Sequence, residues 1–338
     1  MGKKAAVIKG DGTGPELVDA MLKVLKACNT QVELIRCDAG SEWWEKYGGD
    51  SYIPQETWNL LEECDACFKG PTTTVPLPTA PRSVAVSIRQ RFLLYANIRP
   101  IKSYGKLGSK LDFVCVREAT EGLYAGIEFK IGDNSAIAIR KTTRDRCDKV
   151  ARKAFEFAKQ RGFKKVISIT KRNILKETDG IFMEAVTKAR SGHSDIELEE
   201  YFIDNMCQQL VKNPERFNRC ILVSTNLFMD IVSETASGHL GSIGNVYSGN
   251  IGDTYAMFEP AHGSAPKYKG LNKVNPVATI LSGAWMLEYL GETDIGKAIF
   301  DATEQVINEG KYVTYDLGGS ATTTQVAEQI AARAAKIL

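Results

Sequence analysis

Three stretches of the chain carry cationic and phenolic side chains of the kinds that bind carboxylates or move protons. Arg89 and Arg99 lie in the first stretch, Arg117 and Tyr124 in the second, and Lys171 in the third. An arginine side chain offers a planar, permanently charged fork that matches a carboxylate, and lysine and tyrosine can act as acids or bases. Taken singly, each of these residues is more typical of a surface ion pair. Their chemistry therefore depends on whether the fold brings them together.

Three acidic residues, Asp204, Asp230 and Glu234, stand in otherwise apolar surroundings. Asp230 and Glu234 are four residues apart, so they share one face of a predicted helix. An acidic pair at this spacing is usually solvated, and the pattern alone favours that interpretation.

Short β-rich segments alternate with helical segments along the chain, which predicts an α/β fold. Lys171 follows a predicted strand at residues 165–169, and α/β proteins place functional groups at such strand ends. Three strand candidates at residues 113–116, 122–130 and 135–141 follow one another without helices between them. This arrangement predicts an antiparallel excursion from the α/β pattern.

Composition narrows the class of protein. The chain has 338 residues, 25% of them charged, and a formal net charge of +2. A nucleic-acid-binding protein usually shows a dense basic face, whereas the lysines and arginines here are dispersed. We find neither an apolar run of membrane length nor a signal-peptide pattern. We therefore expect a soluble, cytoplasmic protein that binds neither nucleic acid nor membrane.

The eight cysteines raise the possibility of a metal site or disulfides. Cys64 and Cys67 form a C-x-x-C pair, but no second pair follows at zinc-site spacing and the chain has only three histidines. We expect free thiols in a reducing compartment.

The glycine-rich segment at residues 10–14, between a predicted strand and a predicted helix, resembles a dinucleotide-binding fingerprint. That fingerprint needs a third glycine where Pro15 stands. Glu16 would also place a carboxylate in the first helical turn, where a pyrophosphate would have to bind. A Rossmann fold is therefore the second choice; it would be a hydroxyacid dehydrogenase that uses His262 and no metal.

Six motifs together resemble the isocitrate/isopropylmalate dehydrogenase family, closest to its NADP-type isocitrate dehydrogenases. In chain order from residue 10 to residue 266 they are Gly-Asp-Gly-Thr-Gly-Pro-Glu, Tyr-Ala-Asn-Ile-Arg-Pro, Arg-Glu-x-Thr-Glu-Gly-Leu-Tyr-Ala-Gly, Thr-Lys-Arg-Asn, Asn-Leu-Phe-x-Asp-Ile and Glu-Pro-Ala-His-Gly-Ser-Ala-Pro. The resemblance implies a two-lobed α/β fold that is not a Rossmann fold. Residues 1–100 and 250–338 would form a discontinuous, cofactor-binding large domain, and residues 101–249 a small domain with the dimer interface.

The resemblance also implies a role for each site residue. Lys171 would assist deprotonation of the substrate 2-hydroxyl, and Tyr124 would protonate the product of decarboxylation. Substrate-binding residues would be Ser83, Arg89, Arg99, Arg117 and Asn173. Ligands of Mg²⁺ or Mn²⁺ would be Asp204, Asp230 and Glu234. Lys171 and Asp204 would enter the active site of the neighbouring subunit, so a homodimer would be the minimal working unit.

The cofactor is expected to bind a separate loop. By resemblance, the cofactor-binding residues would be Thr73, Thr74, Glu259, His262, Gly263, Ser264, Ala265, Lys267, Tyr268, Asn275 and Tyr315. NAD-dependent relatives tend to carry an aspartate and an aliphatic residue where Lys267 and Tyr268 stand. A cation and a phenol suit a 2′-phosphate, so we expect NADP, with NAD as the alternative.

The substrate is expected to be isocitrate, because Arg82 and Ser83 resemble the segment of isocitrate enzymes in which the serine binds the γ-carboxylate. Ala85 and Ala119, however, replace two asparagines of the family pattern, and Glu234 replaces an aspartate. Two alternatives stay open: a 3-isopropylmalate or homoisocitrate dehydrogenase that uses NAD, and a non-catalytic regulatory subunit of a hetero-oligomeric isocitrate dehydrogenase.

Overall fold

The structure is a computed structural model that describes residues 2–77, 79–105 and 108–338. In these residues the strands are β1 (Lys4–Ile8), β2 (Glu33–Cys37), β3 (Ala66–Lys69), β4 (Ala96–Lys102), β5 (Asp112–Glu118), β6 (Glu128–Ile131), β7 (Ser135–Ala138), β8 (Lys165–Thr170), β9 (Glu197–Phe202), β10 (Cys220–Ser224), β11 (Tyr247–Ile251) and β12 (Ala256–Pro260). The helices are α1 (Gly14–Ala27), α2 (Ser41–Tyr47), α3 (Gln55–Glu63), α4 (Val84–Arg91), α5 (Arg144–Arg161), α6 (Lys176–Ser191), α7 (Ile203–Lys212), α8 (Asn226–Ser237), α9 (Val277–Tyr289), α10 (Thr293–Glu309) and α11 (Thr323–Ile337).

Ten of the strands form one mixed sheet in the order β2-β1-β3-β12-β11-β4-β5-β10-β8-β9. The pairs β12–β11, β11–β4 and β4–β5 are antiparallel, and the outer pairs are parallel. A Rossmann sheet has parallel strands around its switch point, so this antiparallel centre confirms an α/β fold of another kind. The Rossmann hydroxyacid dehydrogenase considered as an alternative is therefore wrong.

The two faces of strand β4 serve different purposes. Successive side chains of a strand point to opposite faces. On one face Ile98 packs in a hydrophobic core with residues of α5, such as Phe155. On the other face Asn97 and Arg99 lie toward α8. The face that carries Asn97 and Arg99 is the polar one.

The excursion predicted from three consecutive strands is shorter than expected. β6 and β7 form a separate two-stranded sheet, but the predicted strand at residues 122–130 extends only over Glu128–Ile131. Gly122 and Gly126 adopt φ values of 72° and 71°, which breaks the extended backbone. The intervening residues form a 3₁₀ turn at Leu123–Ala125, and this turn positions Tyr124.

All eight cysteines are free thiols, and six of them are buried. None of the helices in the described ranges has the length and apolar character that a membrane crossing requires.

Candidate active site

Arg99 and Arg117 converge on Asp230, which lies in the second turn of α8. The arginines come from the adjacent strands β4 and β5, and their side chains are only 8% and 3% exposed. Arg99 Nη2 lies 3.3 Å from Asp230 Oδ1, and Arg117 Nη1 contacts the same oxygen. Arg99 Nη1 also donates to Glu234 Oε1 at 2.9 Å. The fold thus places two buried guanidinium groups against the carboxylates that share one helix face.

Tyr124 completes this cluster. Its hydroxyl donates to Asp230 Oδ2 at 2.5 Å, and the Arg117 guanidinium lies 4.9 Å from the centre of its ring. Burial opposes ionisation of Asp230, but the charges of Arg117 and Arg99 outweigh it and lower the pKa of this carboxyl. Burial and the hydrogen bond to Asp230 raise the pKa of Tyr124. At neutral pH a protonated phenol therefore lies beside an ionised carboxylate.

Arg89 forms a second cationic group at the other end of the same polar face. Its Nη2 donates to Glu259 Oε1 at 2.8 Å, and its Nε donates to Asn250 Oδ1 at 2.8 Å. The second oxygen of Glu259 lies 2.9 Å from Lys69 Nζ. All three charged side chains are at most 9% exposed. Two buried cations thus share one carboxylate, which leaves positive charge for an anionic ligand.

Two asparagines connect the cationic groups. Arg99 Nε donates to Asn97 Oδ1 at 2.8 Å, and Asn97 Nδ2 donates to Asn250 Oδ1 at 2.9 Å. Asn250 is the residue that also accepts from Arg89. The three predicted arginines consequently lie in one hydrogen-bonded network, a suitable receptor for a substrate with several carboxylates.

Lys171 and Asp204 form a separate pair. Lys171 Nζ lies 2.8 Å from Asp204 Oδ2, and the Asp204 side chain is 67% exposed. A hydrogen bond from Lys171 lowers the pKa of Asp204. Asn173 is exposed in the turn that follows. Across residues 2–77, 79–105 and 108–338, no three histidine, cysteine or acidic side chains of one chain come together as a metal site. Asp204 therefore does not join Asp230 and Glu234 within a single chain.

Ser83 lies directly before α4, the helix that carries Arg89. Its Oγ accepts a hydrogen bond from the Val86 amide at 3.2 Å and so caps the helix. Ala85 and Val86, in the first turn of α4, are both partly exposed. These residues are the ones that could contact the variable part of a substrate.

A second cleft, of about 350 Å³, contains most of the predicted cofactor-binding residues. Six of them line it: His262, Gly263, Ala265, Tyr268, Asn275 and Tyr315. Burial lowers the pKa of His262, and its buried Nε2 finds no hydrogen-bond partner among the described residues. Such a buried polar atom is paired in most proteins, so a ligand in the cleft would remove an energetic penalty.

Two lysines lie against the aromatic rings of this cleft. Lys267 Nζ is 5.0 Å from the centre of the Tyr268 ring, and Lys273 Nζ is 4.6 Å from that of Tyr315. The two ring centres are 6.0 Å apart. Cationic and phenolic donors are thus concentrated at one position of the cleft.

The glycine segment at residues 10–14 supports this cleft instead of binding a dinucleotide. A Cβ on Gly12 would lie 2.4 Å from the Ser264 carbonyl oxygen, and one on Gly10 would lie 2.1 Å from that of Pro71. The amide and hydroxyl of Thr13 both donate to the same Ser264 carbonyl, at 2.9 and 3.0 Å. Protein backbone fills the space that a pyrophosphate would need.

Asp11 extends this support to the loop that carries Thr73 and Thr74. It is buried and accepts backbone hydrogen bonds from Ser41, Glu42 and Thr73, at 3.0, 2.9 and 2.7 Å. Thr73 Oγ1 lies 2.6 Å from Ser264 Oγ, whereas Thr74 is exposed. The segment at residues 10–14 therefore positions two candidate cofactor-binding segments, the one with Thr73 and the one with Ser264.

Several residues of the network were not predicted. They are Lys69, Asn97, Asn226 and Asn250. A lysine that ends a strand otherwise composed of Ala-Cys-Phe is one signal that could have revealed Lys69, and the two-residue spacing of Asn97 and Arg99 could have revealed their common face. Glu259, predicted to bind cofactor, lies with Arg89 and Lys69, not in the lining of the cleft.

Glu259→Gln is expected to lower stability most at neutral pH. Burial disfavours ionisation of Glu259, but Lys69 and Arg89 reverse this and lower its pKa. A carboxyl whose folded pKa is lowered stabilises the fold above its unfolded pKa of about 4.3, and this contribution is lost as pH falls toward the folded pKa. The difference in unfolding free energy between wild type and variant, from urea denaturation, should therefore shrink between pH 6 and pH 3.

The control for this experiment is Glu309→Gln, which removes an exposed ion pair with Arg333. It should change stability little at any pH. A constant difference between wild type and Glu259→Gln across the pH range would show that the carboxylate charge is not the cause.

Comparisons with known proteins agree with this geometry. The family model described as isocitrate/isopropylmalate dehydrogenase matches residues 4–330. A 3-isopropylmalate/3-methylmalate dehydrogenase of Methanocaldococcus jannaschii is 40% identical over 98% of each chain. An NADP isocitrate dehydrogenase of Thermus thermophilus is 38% identical over 97% of this chain and 67% of its own length.

Solved structures give the same result. The crystal structure of isocitrate dehydrogenase from Methylococcus capsulatus superimposes with a TM-score of 0.93, at 40% identity, over 98% of this chain and 99% of its own. This likeness confirms the predicted fold. Because the family model matches nearly the whole chain, the chain belongs to the isocitrate/isopropylmalate dehydrogenase family.

Proposed function

We propose isocitrate as the substrate of this decarboxylating dehydrogenase, oxidised to 2-oxoglutarate and CO₂ with reduction of NADP. The observation that carries the choice of substrate is the hydroxyl of Ser83. Its oxygen accepts from the Val86 amide, and no acceptor among the described residues takes its hydrogen. A carboxylate on the third arm of the substrate could accept that hydrogen and would also benefit from the positive end of α4.

The cationic network would hold the other substrate carboxylates. Arg89, Arg99 and Arg117 provide buried guanidinium groups, and Lys69 adds a fourth cation against the three carboxylates of Glu259, Asp230 and Glu234. A substrate carboxylate would take over contacts that Asp230 makes to the arginines. Asp230 would then be free for another role.

That role would be metal binding. Asp230 and Glu234, with Asp204 of a second copy, offer the hard oxygen donors that Mg²⁺ or Mn²⁺ prefers, and the ion would supply Lewis-acid polarisation of the substrate 2-hydroxyl. Lys171 of the second copy would accept the proton of that hydroxyl, and a nicotinamide cofactor held by the second cleft would supply the hydride acceptor. After the bond to CO₂ breaks, Tyr124, whose raised pKa keeps the phenol protonated at neutral pH, would donate its phenolic proton to carbon.

A homodimer would explain why one chain leaves the site incomplete. Lys171 and Asp204 pair with each other, apart from Asp230. The β6–β7 hairpin exposes large apolar side chains: Phe129, Ile131 and Ile137 are 49%, 50% and 42% exposed. Exposed apolar clusters of this kind mark interaction sites. A second copy that covers the hairpin could bring its own Lys171 and Asp204 to the cluster.

The division into two lobes, residues 1–100 with 250–338 and residues 101–249, is part of the same proposal. Two of the hydrophobic cores consist almost entirely of residues from 1–100 and 250–338, and two consist mainly of residues from 101–249. Strands β4 and β11 pair in the middle of the sheet, so they could serve as the hinge when the lobes close on substrate.

The cofactor preference can be tested at Lys267 and Tyr268. The double variant Lys267→Asp with Tyr268→Ile replaces a cation and a phenol by an acid and an aliphatic residue. It is expected to shift the ratio of kcat/KM for NADP over NAD by at least about 100-fold toward NAD, since a charged hydrogen bond contributes about 1.5–3 kcal/mol and the new acid repels the phosphate. An unchanged ratio would mean that another region reads the 2′-position.

The decisive test of the proposed function is a panel of substrates and cofactors. Purified chain is assayed at 340 nm with isocitrate, 3-isopropylmalate, 3-methylmalate and homoisocitrate, each with NAD or NADP and Mg²⁺ or Mn²⁺. We expect the highest kcat/KM with isocitrate and NADP. No turnover of isocitrate with either cofactor would refute isocitrate as the substrate. No turnover of any compound in the panel would favour the alternative that the chain is a non-catalytic regulatory subunit.

A second candidate is oxidation of a 3-alkylmalate with NAD. Its support is the pair Ala85 and Val86, which present small apolar side chains at the start of α4. An alkyl arm would gain from them where a carboxylate would not. Higher kcat/KM with 3-methylmalate or 3-isopropylmalate than with isocitrate in the panel would select this candidate.

A further inference from the structure

Arg140 leaves the base of the β6–β7 hairpin and reaches the beginnings of two helices. Next to it, Gly122 and Lys141 join the hairpin ends by two backbone hydrogen bonds of 2.8 and 3.3 Å. The guanidinium donates to Thr178 Oγ1 in the first turn of α6 at 2.8 Å, and to Thr225 Oγ1 just before α8 at 2.7 Å. One side chain thus contacts the hairpin, α6 and α8.

Arg140 also meets a fully buried carboxylate. Asp179 is 0% exposed, and its Oδ1 lies 2.7 Å from Arg140 Nη1. This contact is ionic and lies off the N–H direction, since it does not meet the geometry of a hydrogen bond. The other oxygen, Oδ2, accepts the backbone N–H of Lys171 at 2.6 Å.

The backbone of Lys171 is therefore held at both polar groups. Its N–H donates to Asp179, and its carbonyl oxygen accepts from the amides of Ile174 and Leu175 at 2.9 and 2.8 Å. The side chain, which pairs with Asp204, thus extends from a backbone that is held in place. A reacting side chain contributes most to the rate when the backbone that carries it is held in a fixed position.

Neither member of the Arg140–Asp179 pair is favourable without the other. A cation beside the N-termini of two helices is opposed by both helix dipoles. A buried carboxylate without a counter-charge carries a large desolvation cost. Each charge removes the penalty of the other, so loss of the arginine should release the carboxylate from its place beside Lys171.

We propose that Arg140 is a positioning residue for Lys171. It acts through Asp179 on the backbone of the lysine, and through Thr225 on the helix that carries Asp230 and Glu234. The inference rests on the proposed function for the role of Lys171. In the proposed dimer, Lys171 serves the site of the other copy while Asp230 serves its own, so a single arginine would connect the two active sites at the hairpin.

The test compares Arg140→Gln and Arg140→Lys with wild type in the full-length protein. Arg144→Gln is the matched control, because it removes an exposed neighbouring ion pair with Glu184. Amide hydrogen exchange of peptides that contain residues 165–175, read by mass spectrometry, reports on the Lys171 N–H without any substrate. A peptide from β1 reports on global opening. Kinetics use the best substrate and cofactor of the panel.

In Arg140→Gln we expect faster exchange at residues 171–175 with β1 unchanged, and kcat lower by about 100-fold with KM within about threefold. Arg140→Lys keeps the charge but cannot span both threonines, so its exchange and kcat should be intermediate, with kcat about 10-fold below wild type. Arg144→Gln should match wild type.

Wild-type exchange and wild-type kcat in Arg140→Gln would overturn the proposal. If that variant does not fold, Arg140→Lys decides alone: values equal to wild type in both measurements would overturn it, and intermediate values would support it. If the panel shows no turnover, the proposed function fails, while faster exchange at residues 171–175 would still establish the support of Lys171 by Arg140.

Discussion

Lys171→Met is expected to lower kcat by about 1,000-fold, because a positioned acid or base typically contributes 100- to 10,000-fold. Methionine has nearly the length of lysine but cannot accept or donate a proton. The side chain of Lys171 pairs with Asp204 and lies 5.7 Å from the centre of the Phe202 ring, so methionine should fit the same space. The measurement is absorbance at 340 nm with the best substrate and cofactor of the panel.

Lys188→Met is the control for this variant. Lys188 lies on the adjacent helix α6 in an exposed ion pair with Asp148, and its loss should leave kcat unchanged. The KM of Lys171→Met should stay within about threefold of wild type, since the lost interaction acts in the transition state. A Lys171→Met enzyme with wild-type kcat would remove Lys171 from the proposed chemistry.

Asp230→Asn should damage both stability and activity. Asp230 contacts Arg99, Arg117 and Tyr124, and removal of one partner of a buried ion pair costs about 3–5 kcal/mol. We expect a loss toward the lower end of that range in urea denaturation at pH 7, because Glu234 still pairs with Arg99. We also expect kcat to fall by at least about 100-fold. A higher concentration of Mn²⁺ should be needed for the half-maximal rate.

The matched control is Asp253→Asn, which removes a mostly exposed carboxylate that pairs with Lys149. Exposed pairs contribute about 0–1 kcal/mol, so this variant should retain both stability and rate. An Asp230→Asn protein with wild-type stability would mean that water, not the Asp230 carboxylate, stabilises the charges of Arg99 and Arg117. An unchanged Mn²⁺ dependence would remove Asp230 from the proposed metal ligands.

The sequence predicted the elements whose side chains follow a simple apolar pattern. Helices such as α5 and α10 bury one face, and their amphipathic spacing predicts helices at residues 145–160 and 295–309, within two residues of the observed bounds. Strands β4, β11 and β12 were not predicted, because Asn97, Asn250 and Glu259 are polar residues that are buried and face the site. Polar residues in a strand usually indicate a solvated face, so the sequence pattern does not reveal that this face is buried.

The site was predicted residue by residue but not as a network. Arg89 and Asn250 are 161 positions apart and Arg99 and Glu234 are 135 apart, so no local spacing could connect them. The pairing of Glu259 with Lys69 follows from the cost of a buried carboxylate, which only the fold reveals. The roles of Lys171, Asp204 and the cofactor loop stay predictions until the panel and the variants are measured.

The strand order also governs how the chain can fold during synthesis. β12 and β11 lie between β3 and β4, although they are made long after both. Until residue 260 has left the ribosome, β3 and β4 each present an unpaired edge, which is the feature that promotes pairing with other chains. At roughly 5–20 residues per second, synthesis from β4 to β12 takes about 10–30 seconds. During that interval the nascent chain consists of two open half-sheets, and a chaperone that shields strand edges should raise the yield of folded protein more than one that acts on the finished chain.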